Sequence, residues 1–286
     1  MASVTQKKNS RYQAGVHTLP KYKKFPLQPS NSHFVGKVLL HFPALPSTNA
    51  YAQYLLQRET VAEGTVISTD HQQAGRGQRG NDWVSAPGQN ITLSVVLYPR
   101  FLAPAYHFQL NKMAALAVRD TVAEATGQAS FVKWPNDVYL NEQKICGILI
   151  QNSLQGIHLQ HSIVGIGLNV NQRQFPATLP RASSLARATG QSYDRTHLRQ
   201  RLCSYLEQWY EVLRSQPHAV LDRAYLQHLY LYQQTAWYRR TNGERFRGTI
   251  SGISPHGHLI MQTPAGVEHF GIKDVTLEHK CTDQRT

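Results

Sequence analysis

The sequence predicts an α+β fold in which a mixed sheet flanked by helices is followed by a small all-β module. Three observations carry this. β-branched runs such as Thr65–Thr69 ("TVIST") and "NITLSVVLYP" alternate with long amphipathic stretches of helical period. The texture changes near residue 236, after which short alternating segments are punctuated by "SPHG" and "TPAG" turns. Finally, 286 residues with 41% hydrophobic content suffice for one large core and one small one.

Residues 1–35 are polar, basic and broken by Pro20, Pro26 and Pro29, and read as a flexible extension. "VGKVLLHFPAL" reads as a strand leading into a helix over "PSTNAYAQYLLQRET", with Ser47 or Thr48 as its N-cap and Tyr51 and Leu55 on one face. "YHFQLNKMAALAVRDTVAEATG" reads as a helix burying Leu110, Met113, Ala114 and Ala117 and stopping at Gly127. "SFVKWPNDVYL" and "QKICGILIQN" read as strands joined by a turn at Asn141-Glu142, and "HSIVGIGLNVN" as another strand. "THLRQRLCSYLEQWYEVLR" repeats Leu198, Leu202, Tyr205, Leu206 and Trp209 at helical spacing, and a second helix follows through Tyr230. The division expected is an extension at 1–35, a catalytic domain at 36–235 and a β-barrel-like module at 236–281.

Composition narrows the function classes. No stretch approaches the roughly 20 apolar residues that a bilayer span requires, and no apolar segment with a small-residue cleavage site follows the basic N-terminus. The expected location is the cytoplasm. Cys146, Cys203 and Cys281 are scattered, without metal-ligand spacing, and are expected to be reduced thiols. A net charge of +13 favours an anionic partner, which by charge alone is a nucleic acid, an acidic protein or a nucleotide.

The glycine-rich stretch "AGRGQRGNDW" spaces Gly75, Gly77 and Gly80 like a dinucleotide fingerprint. That fingerprint needs a helix directly after the loop, where the pyrophosphate sits. Pro87, Gly88 and a following strand exclude it here. Arg76 and Arg79 in a glycine loop suit a flexible cover over an anion instead, because guanidinium forks match phosphate and carboxylate. Taken singly, the other pieces have plain readings: Ser47-Thr48-Asn49 as a helix N-cap, Lys133 as a surface charge, "VGIGLNVN" as a buried strand with a close-packed glycine.

In their order and intervals, "STN", "QQAGRGQRGNDW", "KWPNDVYL…KICGIL" and "VGIGLNVN" resemble the biotin protein ligases, over residues 36 to 281. The resemblance implies a catalytic fold related to class II aminoacyl-tRNA synthetases and an SH3-like C-terminal module. It implies ATP, Mg2+ and biotin as reactants, biotinyl-5′-AMP as intermediate and a biotin carboxyl carrier domain as acceptor. Carried over, Ser47, Thr48, Asn49 and Gln72 line the ureido end of biotin, and Arg76, Gly77, Gln78 and Gly147 complete its site. Lys133 neutralises the reacting carboxylate and α-phosphate, with Arg76 and Arg79 as further catalytic cations. Gly75, Arg79, Trp83, Asn136, Lys144 and Asn169 are expected on the nucleotide side, and Asp137 with Lys144 as support for the strands or the second step. No protein metal site is implied, since Mg2+ arrives on the ATP phosphates.

Two departures stand out. The family's loop often reads Gly-Arg-Gly-Arg with another basic residue three positions on; here those positions hold Gln78 and Asn81. The 35 residues before the catalytic region are too few and too proline-broken for a helix-turn-helix, so the chain resembles the monofunctional type without DNA binding. No segment decides between monomer and homodimer. The rival readings are a lipoate or octanoate ligase of the same fold, and a nucleic-acid-binding barrel using Tyr238, Arg239, Arg240, Arg245, Phe246 and Arg247.

Overall fold

The computed structural model of the chain describes residues 23–25 and 32–278, with the backbone alone for residues 23–25 and Arg79. The expectations for the rest of the basic extension and for Cys281 lie outside the described residues. Within that extension, β1 (Lys23–Phe25) is a short strand rather than open coil, paired antiparallel with β2 (Leu39–Leu45).

An eight-stranded sheet forms the larger layer, in the order β1-β2-β3-β4-β8-β7-β6-β5. β3 (Val66–Gln72) runs parallel to β2, which requires a crossover, and α1 (Thr48–Leu56) supplies it. β4 (Ile91–Leu97), β8 (His158–Leu168), β7 (Gln143–Gln155), β6 (Asp137–Leu140) and β5 (Ser130–Lys133) add antiparallel. The Asn141-Glu142 turn joins β6 to β7 as expected, both residues adopting positive φ. "SFVKWPNDVYL" is not one strand. Its Trp134-Pro135-Asn136 centre is a turn that folds β6 back on β5, since proline donates no ladder hydrogen bond.

Period-two alternation sorts neighbouring residues into two cores on opposite faces. Leu39, Val66 and Val95 join one cluster; Leu40, Ile67 and Val96 join the other. The first is covered by α2 (Phe108–Thr126), α4 (Arg195–Ser215) and α5 (His218–Gln227). α2 buries Leu110, Met113, Ala114 and Ala117 and ends at Gly127 in the left-handed conformation, as read from the sequence. Each fully buried Leu or Met side chain there contributes about 1.5–3 kcal/mol. In α4, Leu198, Leu202 and Leu206 are buried, while Tyr205 and Trp209 are partly so. Glu207 of α4 anchors the chain ahead of β2, accepting hydrogen bonds from the N–H groups of Phe34 (2.7 Å) and Val35 (2.8 Å).

On the other face the helix among the described residues is α1. Phe42, Tyr51, Ala52, Leu55 and Ile163 pack there, so α1 covers β3, β4 and part of β8 and leaves the β7–β6 side open. A short helix, α3 (Leu185–Thr189), was not anticipated; Ser184 caps it, accepting from the Arg187 N–H at 3.1 Å.

The C-terminal segment forms a five-stranded antiparallel sheet, in the order β12-β11-β10-β9-β13. Its members are β9 (Thr235–Arg240), β10 (Arg245–Ile253), β11 (Leu259–Thr263), β12 (Gly266–Phe270) and β13 (Val275–Glu278). The sheet is open: β12 and β13 are its edges. The connecting chain fastens it to the larger sheet. Val132 N–H donates to His228 O at 2.8 Å and Val132 O accepts from Tyr230 N–H at 2.7 Å, while Tyr232 bridges to Ile250. Trp134 Nε1 adds a 2.9 Å hydrogen bond to Gly257 O.

Candidate active site

The open part of the α1 face holds a cavity of about 280 Å³. Its floor is a consequence of strand register. Gly147 on β7 pairs directly with Gly167 on β8, and both present the α1 face. A Cβ on Gly167 would lie 2.3 Å from Cε2 of Trp83, and one on Gly165 would lie 2.4 Å from Asn49 Oδ1. The glycines of "VGIGLN" thus let an indole and an amide lie directly on the sheet.

One end of the cavity is neutral and polar. Ser47 caps α1, accepting from Ala50 N–H at 3.4 Å. Gln72 Oε1 accepts from Thr48 N–H at 3.0 Å. Ser94 of β4 donates to Asn49 Oδ1 at 2.6 Å and stands 2.7 Å from Thr48 Oγ1. Asn49 Nδ2 donates to Leu149 O at 3.2 Å. Ser47, Thr48 and Asn49 are all buried, so their polar atoms are fixed by partners rather than by water.

The glycine loop covers the middle. Trp83 N–H donates to Gly75 O at 3.0 Å, Gly77 N–H to Asn81 O at 2.7 Å, and Arg76 bridges to Asp82. Gln78–Gly80 forms a 3-10 turn at the tip. The loop is therefore a small hairpin of its own. Arg76, Gly77, Gln78, Asn81, Asp82 and Trp83 all border the cavity. Gly75 does not; it holds Trp83 in place from behind, where a Cβ would meet Trp83 O at 2.4 Å. Arg79's side chain lies outside the described residues.

The far end is charged. Lys133 closes β5 and faces Asp137 across the β5–β6 ladder. Burial pushes the Lys133 ammonium below the ordinary lysine range, Asp137 opposes that shift, and Lys144 and Arg181 reinforce it. Lys144 Nζ pairs with Asp137 Oδ1 at 2.7 Å and lies 6.0 Å from the Trp83 ring. Asn136 is locked to β7, its Nδ2 donating to Ile148 O at 2.8 Å.

Among the expected residues, Ser47, Thr48, Asn49, Gln72, Arg76, Gly77, Gln78, Trp83, Lys133, Asn136, Asp137, Lys144 and Gly147 are brought together. Asn169 is not. It is buried beyond the floor, donating from Nδ2 to Ser183 O at 2.9 Å. Sequence reasoning missed Ser94, which carries no motif of its own, and Asp82. It also missed an entire wall: Tyr230, Leu231, Tyr238, Ile272, Lys273 and Thr276 come from the connecting chain and the C-terminal sheet. The exposed basic–aromatic platform of the nucleic-acid reading is not formed by Tyr238 and Phe246. Both are buried and stack on one another within the C-terminal sheet.

No group of three or more His, Cys, Asp or Glu suited to a metal occurs among the described residues. Among the described residues, no helix is long and apolar enough to cross a membrane.

Against known proteins, the Biotin/lipoate A/B protein ligase family matches residues 41–169. The bifunctional ligase/repressor BirA of Bacillus subtilis is 32% identical over 249 residues, which cover 85% of this chain and 75% of that protein. The chain belongs to the biotin protein ligases. A second member of the group, the biotin–[acetyl-CoA-carboxylase] ligase of Paracoccus denitrificans, is 35% identical over 77% of this chain and 92% of its own. The biotin protein ligase of Aquifex aeolicus, solved in complex with biotin and ATP, superposes with a TM-score of 0.70 at 26% identity, over 85% of this chain and 99% of that one.

Proposed function

We propose that this biotin protein ligase is ATP-dependent, forming biotinyl-5′-AMP and then passing biotin to a lysine of a biotin carboxyl carrier domain. The observation that carries the reading is the polarity gradient of one cavity: a neutral hydrogen-bonding end at Ser47–Asn49, a glycine floor, and a desolvated ammonium at Lys133. A ureido head, an apolar chain and a reacting carboxylate match that gradient in order.

In the first step a biotin carboxylate oxygen attacks the α-phosphorus of Mg–ATP; the new O–P bond forms as pyrophosphate leaves. Mg2+ enters with the nucleotide as substrate. Lys133, and Arg76 from the hairpin, hold the negative charge that gathers at the reacting atoms. Such a donor in a desolvated site is worth on the order of 10²–10³-fold in rate. In the second step the neutral amine of the carrier lysine attacks the acyl carbon. The C–O bond to AMP breaks, and the amine's proton passes to solvent. A carboxylate is a poor acyl donor, and AMP makes it a good one.

Trp83 and the hairpin cover the intermediate, and Gln78 and Arg79 take the part of the loop's missing basic residues. The C-terminal sheet is read as the SH3-like module of this architecture and the larger sheet as its synthetase-related catalytic layer. Cys146 and Cys203 are free and buried, which suits the cytoplasm. The chain acts as a monomer or homodimer, and the basic charge suits an acidic carrier.

The decisive experiment is ATP-dependent transfer of biotin to an isolated carrier domain, with wild type and Lys133→Ala compared. Pyrophosphate release with lipoate but not biotin overturns the biotin reading in favour of the lipoate branch.

A further inference from the structure

Strand β4 is buried along its whole length, and the Ser94 hydroxyl is enclosed within it with no exposed surface. Its cross-strand neighbours are Ile67 on β3 and Gly165 on β8, and it does not border the cavity. A buried hydroxyl destabilises the fold unless it is hydrogen-bonded. Here it has two partners, Asn49 Oδ1 at 2.6 Å and Thr48 Oγ1 at 2.7 Å, and both belong to residues at the neutral end of the cavity. Gly165, directly beside Ser94, has no Cβ, and that leaves the Asn49 amide its place against the sheet.

One hydroxyl carries one proton, and this determines the direction of the network. Asn49 Nδ2 donates to Leu149 O at 3.2 Å, which turns the amide oxygen towards Ser94. An amide oxygen only accepts, so the Ser94 proton goes to Asn49. Ser94 Oγ then meets Thr48 Oγ1 as an acceptor, and the Thr48 hydroxyl supplies the proton. The alternative acceptor for that proton, Gln72 Oε1, stands farther off at 3.3 Å and already takes the Thr48 N–H at 3.0 Å. Donation therefore runs from Thr48 to Ser94 to Asn49 to Leu149, across α1, β4 and β7. With its proton turned inward, Thr48 Oγ1 offers a ligand in the cavity only lone pairs.

We infer that Ser94 is a positioning residue of the biotin site: it fixes Thr48 Oγ1 as a hydrogen-bond acceptor, so that the site selects a ring presenting an N–H there rather than a lone pair. This rests on the ligase reading above. Ser94 touches no reactant. It acts by removing the alternative in which the Thr48 hydroxyl turns its proton outward. A buried acceptor left unpaired is what makes such a site reject an isostere that lacks the N–H.

The test compares biotin with its two cyclic carbamate isosteres, in each of which one ureido N–H is replaced by oxygen. Pyrophosphate release at saturating Mg–ATP gives a KM for each acid in wild type, Ser94→Ala and Ser94→Thr. In wild type the KM for one of the carbamates is expected to exceed that for biotin by about ten-fold or more. In Ser94→Ala the Thr48 hydroxyl is free to turn, so the same ratio should fall to within about three-fold, while Ser94→Thr, which keeps the hydroxyl, should hold the wild-type ratio. A merely structural role would raise the KM for biotin and carbamate together in Ser94→Ala; an unchanged ratio there overturns the assignment of Ser94 alone. Wild type that takes both carbamates as readily as biotin overturns it without any variant, whether or not Ser94→Ala folds. A wild-type protein that releases no pyrophosphate with biotin overturns the ligase reading and this assignment together.

Discussion

Asp137 stands directly opposite Lys133 across the β5–β6 ladder, yet its carboxylate closes on Lys144 Nζ at 2.7 Å. One carboxylate thus serves two ammonium groups, and the one it does not grip is the more desolvated. That arrangement leaves the Lys133 ammonium poorly neutralised, which suits a group whose partner is to be an incoming anion.

Lys133→Ala is expected to slow biotinyl-adenylate formation by about 10²–10³-fold in single-turnover assays, with biotin binding weakened less. Because burial lowers the Lys133 pKa, the alkaline limb of wild-type adenylation should fall below the ordinary lysine pKa of 10.5. Lys133→Arg should lift that limb, since a guanidinium stays charged. Stability moves the other way. A lysine whose folded pKa is lowered carries its burial penalty fully below that pKa, and the penalty is relieved as pH rises from the folded value towards the unfolded one. A thermal melt series over that window should show this contribution in wild type and not in Lys133→Ala.

Asp137→Asn removes the group that holds the Lys133 pKa up. The alkaline limb of adenylation should therefore shift to lower pH than in wild type, and Lys144 should lose its partner. An unmoved limb would show that Asp137 does not tune Lys133.

Gly165→Ala places a methyl 2.4 Å from Asn49 Oδ1, against a side chain already held by Ser94 and Leu149. Asn49 must give way, so the KM for biotin should rise about ten-fold or more while that for ATP changes little. Overpacking of this kind also costs about 1–3 kcal/mol of stability, readable by denaturant unfolding.

Arg79→Ala tests whether the loop's departure at Gln78 and Asn81 is compensated next door. Single-turnover adenylation should slow about ten-fold or more. Unchanged rates would remove Arg79 from the mechanism.

The neutral end of the site was legible because its residues are contiguous: Ser47, Thr48 and Asn49 declare themselves as a helix start and only need a neighbour in Gln72. The hydrophobic periods behind α2 and α4 were equally plain. The fold-back at Trp134-Pro135-Asn136 was harder, because β-branched residues on both sides of a proline read as one strand until the facing of Lys133 and Asp137 is known. Asn169 shares the parity of Gly165 and Gly167, but β8 ends at Leu168 and the Asn169 amide donates to Ser183 O instead of lining the cavity. The C-terminal wall was illegible for a different reason. Lys273 lies 140 residues from Lys133, and contacts distant in sequence, such as the backbone pairing of Val132 with His228 and Tyr230 and the Trp134–Gly257 hydrogen bond, bring the two sheets together.

That pairing has a mechanical outcome. Val132 gives both its N–H and its C=O to the connecting chain, and Lys133 is the next residue. Prying the smaller lobe outward would strip hydrogen bonds from the strand that aims the reactive ammonium. Cleft opening and loss of chemical competence are then one motion, and an acceptor that spreads the lobes to dock would have to let them shut again before adenylation could resume.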